Sequence, residues 1–174
     1  MSNNRFVMAI GIFTLTCGLL AGRFSHLFGV APILGALLCA ACFLRPKELF
    51  VVGLGGILVR DLLMGLSSFT LVRLAGIALV VCAMIALKVR PSPRSLLTAL
   101  VISSPIFHLT LAVGDWATGT CAVVPRTPAG LLSSIVSSLP YFQRSFLGDI
   151  LFAALFLAAY GLAANLLSLR VNES

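Results

Sequence analysis

The chain alternates long apolar runs with short polar breaks, and the runs have the length of membrane helices. Six stand out: residues 6–22, 27–44, 49–66, 69–87, 95–113 and 146–169. Each holds roughly 17–24 residues, enough to cross about 30 Å of hydrocarbon at about 1.5 Å per residue. The breaks carry helix-stopping residues. Arg45-Pro46-Lys47-Glu48 closes the second run, Ser67-Ser68 turns the third into the fourth, and Lys88-Val89-Arg90-Pro91-Ser92-Pro93-Arg94 precedes the fifth. Proline lacks the N–H that a continuing helix needs, and the charges require water.

Residues 114–145 break the pattern. They hold Asp115-Trp116, Cys121, Pro125, Pro128 and Pro140, and within them a periodic segment. Leu131, Leu132, Ile135, Val136 and Leu139 share one helical face, with Ser133, Ser134, Ser137 and Ser138 opposite. This predicts a short amphipathic helix, too short and too polar to span, lying at the interface as a connector or folded over the bundle as a lid. The expected fold is therefore an all-α membrane protein. It has about six transmembrane helices in one bundle, a single polytopic domain over residues 1–174, and an interfacial helix before the last span.

Composition agrees with lipid as the solvent. The chain is 60% hydrophobic and 10% charged, with mean hydropathy +1.12, against about 25% charged residues in soluble domains. The net charge of +7 is spread over helix ends, so it speaks for membrane topology and against nucleic acid. Arg5, Arg45, Lys47, Lys88, Arg90, Arg94 and Arg170 fall on one side of the threaded helices, and Arg23, Arg126 and Arg144 on the other. The positive-inside rule places both termini in the cytoplasm. Residues 1–22 imitate a signal peptide but lack an A-x-A cleavage pattern near Ala21, so a retained first helix is expected.

The same threading gathers Arg23, His26, Arg60, Asp61, Arg73, His108, Asp115, Trp116, Arg126, Arg144 and Asp149 in the outer half. Ionisable groups inside a bilayer are costly and mark a pathway or pocket when they converge. Arg60 and Asp61 point about 100° apart on one helix, so at least one must face the bundle. Asp61 is expected to pair with Arg73 across the short turn or to contact a ligand, and Arg60 to snorkel or join it. Asp149 opens the sixth run, where a carboxylate suits the helix dipole or borders the outer cavity. Ser104 and His108 flank Pro105, where they either bond each other or line an opening beside the freed carbonyl of Val101. Trp116 is either an interfacial anchor or a stacking ring.

Motifs for chemistry are missing. The sequence has no G-x-x-x-x-G-K-[ST], H-E-x-x-H or G-x-S-x-G, and nothing sets a nucleophile beside a base. Cys39 and Cys42 form C-x-x-C without a second pair, so no metal or cofactor is expected. The chain is not expected to be an enzyme.

Leu139-Pro-Tyr-Phe-Gln-Arg-Ser-Phe-Leu-Gly-Asp149 resembles a P-F-F-x-x-x-L-x-G-D stretch before the last helix in a family of small bacterial membrane proteins. Asp61-Leu-Leu-Met-Gly65 resembles that family's D-x-x-x-G, Thr127-Pro-Ala-Gly130-Leu131 its T-x-x-G-L, and Trp116 falls at its Trp. The resemblance runs from about Val30 to Gly161; an Asn of the family falls at Ala112 here. The family is similar in outline to the substrate-binding S components of energy-coupling-factor transporters. Those are six-helix proteins that capture small solutes in an outward pocket and work with a transmembrane coupling subunit and ATPase subunits. An A-x-x-x-A docking pattern of S components meets Phe13 after Ala9 here.

The resemblance implies an S-component-like subunit of an uptake transporter in the bacterial cytoplasmic membrane. Asp61, Asp149, Trp116, Arg60, Arg73 and His108 are then the expected substrate-binding residues, with lipid, solute and the transporter subunits as partners. The alternative is a membrane scaffold or assembly protein whose intramembrane charges are structural.

Overall fold

The computed structural model describes residues 33–119 and 124–172, with the side chains of residues 63–64, 160 and 162–172 excepted. The first expected span, residues 6–22, and the start of the second lie outside the described residues, as do Arg23, His26 and Cys121. Five helices and no strands make up the described chain: α1 (Ile33–Ala41), α2 (Pro46–Met64), α3 (Phe69–Leu87), α4 (Pro93–Thr118) and α5 (Pro128–Asn172).

Their ends follow local sequence chemistry. The Arg45 N–H donates to Glu48 Oε2 at 2.9 Å ahead of α2, the N3-to-cap half of a capping box. Ser92 Oγ accepts from the Ser95 N–H at 3.3 Å to start α4, and Thr127 Oγ1 accepts from the Gly130 N–H at 3.2 Å to start α5. Pro46, Pro93 and Pro128 each open a helix, where a missing N–H costs nothing. Gly65 and Gly119 carry φ of 101° and 67° at helix exits, conformations that glycine adopts freely.

Three helices are long and apolar enough to cross a membrane: Phe69–Leu87, Pro93–Thr118 and Pro128–Ala159. The described residues are thus all helical, with three helices that could span a membrane rather than six. α2 falls short because Lys47, Glu48, Arg60 and Asp61 all lie within it. The expected interfacial helix is not a separate element either. Residues 128–172 form one helix of 45 residues that runs through Pro140, and α4 continues past Val113 to Thr118. The loop expected at 114–145 therefore contracts to the link between Thr118 and Pro128.

Neighbouring helices from α2 to α5 pack in chain order as an arc, and α1 lies inside it touching all four. Leu34 through Ala40 are buried without a break, as a helix surrounded on every side requires. The registers are antiparallel along the arc. Asp61 of α2 meets Arg73 of α3, Gly76 of α3 lies under Phe107 of α4, and Ser134 of α5 bonds Ala112 of α4. The core joins Leu34, Leu37 and Leu38 to Ile57, Ile77, Val80, Met84, Leu96 and Leu100. Outward faces remain apolar: Leu71 is 74% exposed, Leu132 63% and Leu155 63%. Water would not tolerate such faces, and lipid does.

Candidate functional site

A cavity of about 690 Å³ opens between the helices at the end where α2 finishes and α3 starts. Its walls divide by chemistry. Arg60 of α2 and Phe69 and Arg73 of α3 form a basic, aromatic side. Phe107, His108, Leu111, Ala112 and Asp115 come from one face of α4, at the i, i+3, i+4, i+7 spacing that aligns residues on a helix. Ser134, Ser137, Ser138, Tyr141 and Ser145 come from α5, while Ile33 and Leu34 of α1 complete the lining.

The serine wall reverses the orientation expected for an amphipathic helix on a soluble protein. Ser134 is 4% exposed, whereas Leu132 and Val136 are 63% and 55% exposed. Ser134 is buried against the bundle and Ser137 and Ser138 line the open cavity, while Ser133 is exposed. Ser134 Oγ donates to the Ala112 carbonyl at 3.0 Å and so fastens α5 to α4. Ser137 and Ser138 donate back to Ser134 and Ile135 carbonyls of their own helix, leaving their oxygens able to accept from the cavity.

Asp61 lies behind the basic wall at 1% exposure. Arg73 Nη1 donates to Asp61 Oδ2 at 2.8 Å, while Arg60 Nη1 stands 4.0 Å from Oδ1, beyond hydrogen-bond reach. Two guanidinium groups thus share one carboxylate. Arg73 also stacks over the Phe69 ring at 5.1 Å, a cation–π contact that fixes its plane. Arg60 Nε is buried without a partner.

His108 sits edge-on between Phe107 and Phe142, with ring centroids 5.6 and 5.3 Å away. Its Nε2 has no partner, nor does Ser104 Oγ, so the Ser104–His108 hydrogen bond weighed from the sequence is not formed. Packing against aromatic edges, not the hydroxyl, orients the imidazole.

Asp149 is fully buried and does not line the cavity. It does not open a helix, since α5 starts 21 residues earlier at Pro128. Its Oδ1 instead accepts from the Gly35 N–H at 2.7 Å, in the first turn of α1 as described. The carboxylate serves the N-terminus of a neighbouring helix rather than its own. Trp116 also stays outside the cavity lining, and its Nε1 is buried without a partner. Of the six residues expected to bind substrate, Arg60, Arg73 and His108 line one cavity; Asp61 supports it from behind; Asp149 and Trp116 do not reach it.

From sequence the serines read only as the polar face of an interfacial connector or a lid. Their 134, 137, 138, 141, 145 spacing with Tyr141 was the available signal, because it continues through Pro140 as one helical stripe. Asp115, grouped with the other ionisable residues but given no role from sequence, lines the cavity.

A sequence profile matches residues 1–170. The chain belongs to a family of unknown function, DUF6580. No curated protein and no solved structure matches the chain.

Proposed function

We propose that the chain is the solute-capture subunit of a small-solute uptake system, similar in role to the S components of energy-coupling-factor transporters. It binds solute without transforming it, then hands it to a transmembrane coupling subunit driven by ATPase subunits. The observation that carries this reading is the cavity of about 690 Å³ with two arginines, a histidine and an inward row of serines in an otherwise apolar bundle. Small-molecule sites fall in the range of about 300–1,000 Å³ and combine apolar walls with a few placed polar groups.

In this reading the protein sits in the bacterial cytoplasmic membrane with both termini inside. The basic collar of Arg45, Lys47, Lys88, Arg90 and Arg94 marks the cytoplasmic end, and the cavity opens at the other. Arg60, Arg73 and His108 contact solute, and Asp61 holds Arg73 in position.

A second reading has its own observation. The Asp61–Arg73 pair and the Asp149–Gly35 bond both tie helices together, as charges in a scaffold protein do. Purification from native membranes separates the two. Capture predicts a co-purifying small molecule by mass spectrometry, together with coupling and ATPase subunits. Filling the cavity by Ser138→Trp should remove the small molecule while the protein still purifies as a folded species. A homogeneous preparation with neither solute nor those subunits would leave the scaffold reading.

A further inference from the structure

We propose that the solute carries an anionic group, a carboxylate or phosphate, held between Arg60 and Arg73. This rests on the capture reading and names the chemical class that the same cavity takes.

The basic wall has more donors than its carboxylate can satisfy. Each guanidinium offers five N–H donors and no acceptor. Asp61 is the one carboxylate bonded to either arginine among the described residues, and its contact with Arg73 is short at 2.8 Å while that with Arg60 is 4.0 Å. Arg60 is therefore under-neutralised, and its buried Nε has no partner. A guanidinium presents paired N–H groups whose geometry matches the two oxygens of a carboxylate or phosphate. A partly buried charge that shares one carboxylate at 4.0 Å is incompletely compensated, so an arriving anion supplies the remaining counter-charge.

The remaining lining fits the rest of such a molecule. Phe69, Phe107 and Leu111 provide apolar area for a ring or short chain, and the Ser137 and Ser138 oxygens accept along its edge. Asp115 is the one carboxylate among the lining residues described. It lies in the last turn of α4, ending at Thr118, and makes no ion pair with either arginine among the described residues. It leaves the surplus on Arg60 in place and is free to accept from a donor group at the far end of the solute.

Three probes with one ring and different charge test the class: benzoate, benzamide and benzylamine. The full chain is placed in phosphatidylcholine nanodiscs, and its thermal midpoint is read with each probe. In parallel, the small molecules released by heating protein purified from native membranes are identified by mass spectrometry. Benzoate is expected to raise the midpoint, the other two to leave it unchanged, and the released molecule to be an anion.

Arg60→Gln should weaken benzoate binding by about tenfold or more, the scale of one charge-assisted hydrogen bond. The midpoint of the ligand-free variant should hold or rise, because a partly buried and poorly neutralised cation has been removed. A purely structural Arg60 would instead lower that midpoint. Arg60→Lys, which keeps charge but loses the fork, should fall between.

Equal stabilisation by benzamide or benzylamine, or release of a neutral or cationic molecule, overturns the anion class and leaves capture standing. Stabilisation by phosphatidylglycerol nanodiscs without any response to benzoate assigns the arginines to a lipid headgroup, and capture falls with it. No released molecule and no response to any probe overturns both. Unchanged benzoate affinity in Arg60→Gln overturns the clamp.

Discussion

Asp149 and Gly35 show how one side chain can decide the relation of two helices. Gly35 approaches the α5 backbone so closely that an added Cβ would lie 2.9 Å from the Asp149 carbonyl oxygen. That approach brings the Gly35 N–H to the Asp149 carboxylate at 2.7 Å. Removing the acceptor leaves a buried donor unsatisfied, at about 1–3 kcal/mol. Asp149→Leu should therefore lower the thermal midpoint clearly, while Asp149→Asn, whose carbonyl oxygen still accepts, should recover most of it. A scanning-fluorimetry comparison of the two settles whether acceptance or charge matters. The other motif residues have similar local duties. Thr127 caps α5, Gly130 lies too close to the Pro125 carbonyl to carry a side chain, and Gly65 takes a positive φ. A sequence can show that such residues recur around helix ends. It cannot show that Asp149 acts on α1, because the partner is 114 residues away.

At the scale of elements, α5 departs most from what its sequence suggested. The serine and leucine faces between Leu131 and Leu139 were legible, and so was their helical period. Their direction was not. In water the leucines would turn inward, and here Leu132, Val136 and Leu139 are exposed, Leu131 and Ile135 are half-buried, and Ser134 alone of these serines is buried. Proline at 140 also failed to end the helix; α5 passes through it, as membrane helices permit when neighbours satisfy the freed carbonyl. Orientation is measurable by single cysteines. Ser138→Cys should react with a charged, water-soluble maleimide, and Leu132→Cys should resist it while accepting an uncharged lipophilic one. The reverse pattern would place the leucine face against the bundle. Ser134 joins α5 to α4 through the Ala112 carbonyl at 3.0 Å, which keeps the serine row aligned with the cavity.

At the scale of the whole molecule, charge is sorted by end. Arg45, Lys47, Lys88, Arg90 and Arg94 lie at the starts of α2 and α4 and the exit of α3, whereas Arg60, Arg73 and Asp115 lie at the opposite end of those helices. Impermeant thiol labelling of intact cells checks the orientation that follows. A cysteine at Ser67, in the turn between α2 and α3, should label from outside. One at Arg90 should label only after the membrane is opened. Labelling of Arg90→Cys in intact cells would invert the topology and turn the cavity toward the cytoplasm.

Hydrophobic run length alone pointed to a helical chain with helices able to span a membrane, as the described residues show. So did the main breaks at Pro46, Ser67-Ser68 and Pro93, because those signals are local and survive any arrangement of the helices. The pairing of Asp61 with Arg73 was also open to reading, since a short turn forces their helices together. Tertiary structure alone decided which apolar runs merge, which way the serine stripe faces, and which ionisable residues share a cavity. Those outcomes depend on the rotation of one helix against another, and rotation is set by close packing such as Gly35 on α5 and Gly76 under Phe107. No run of residues encodes that angle by itself.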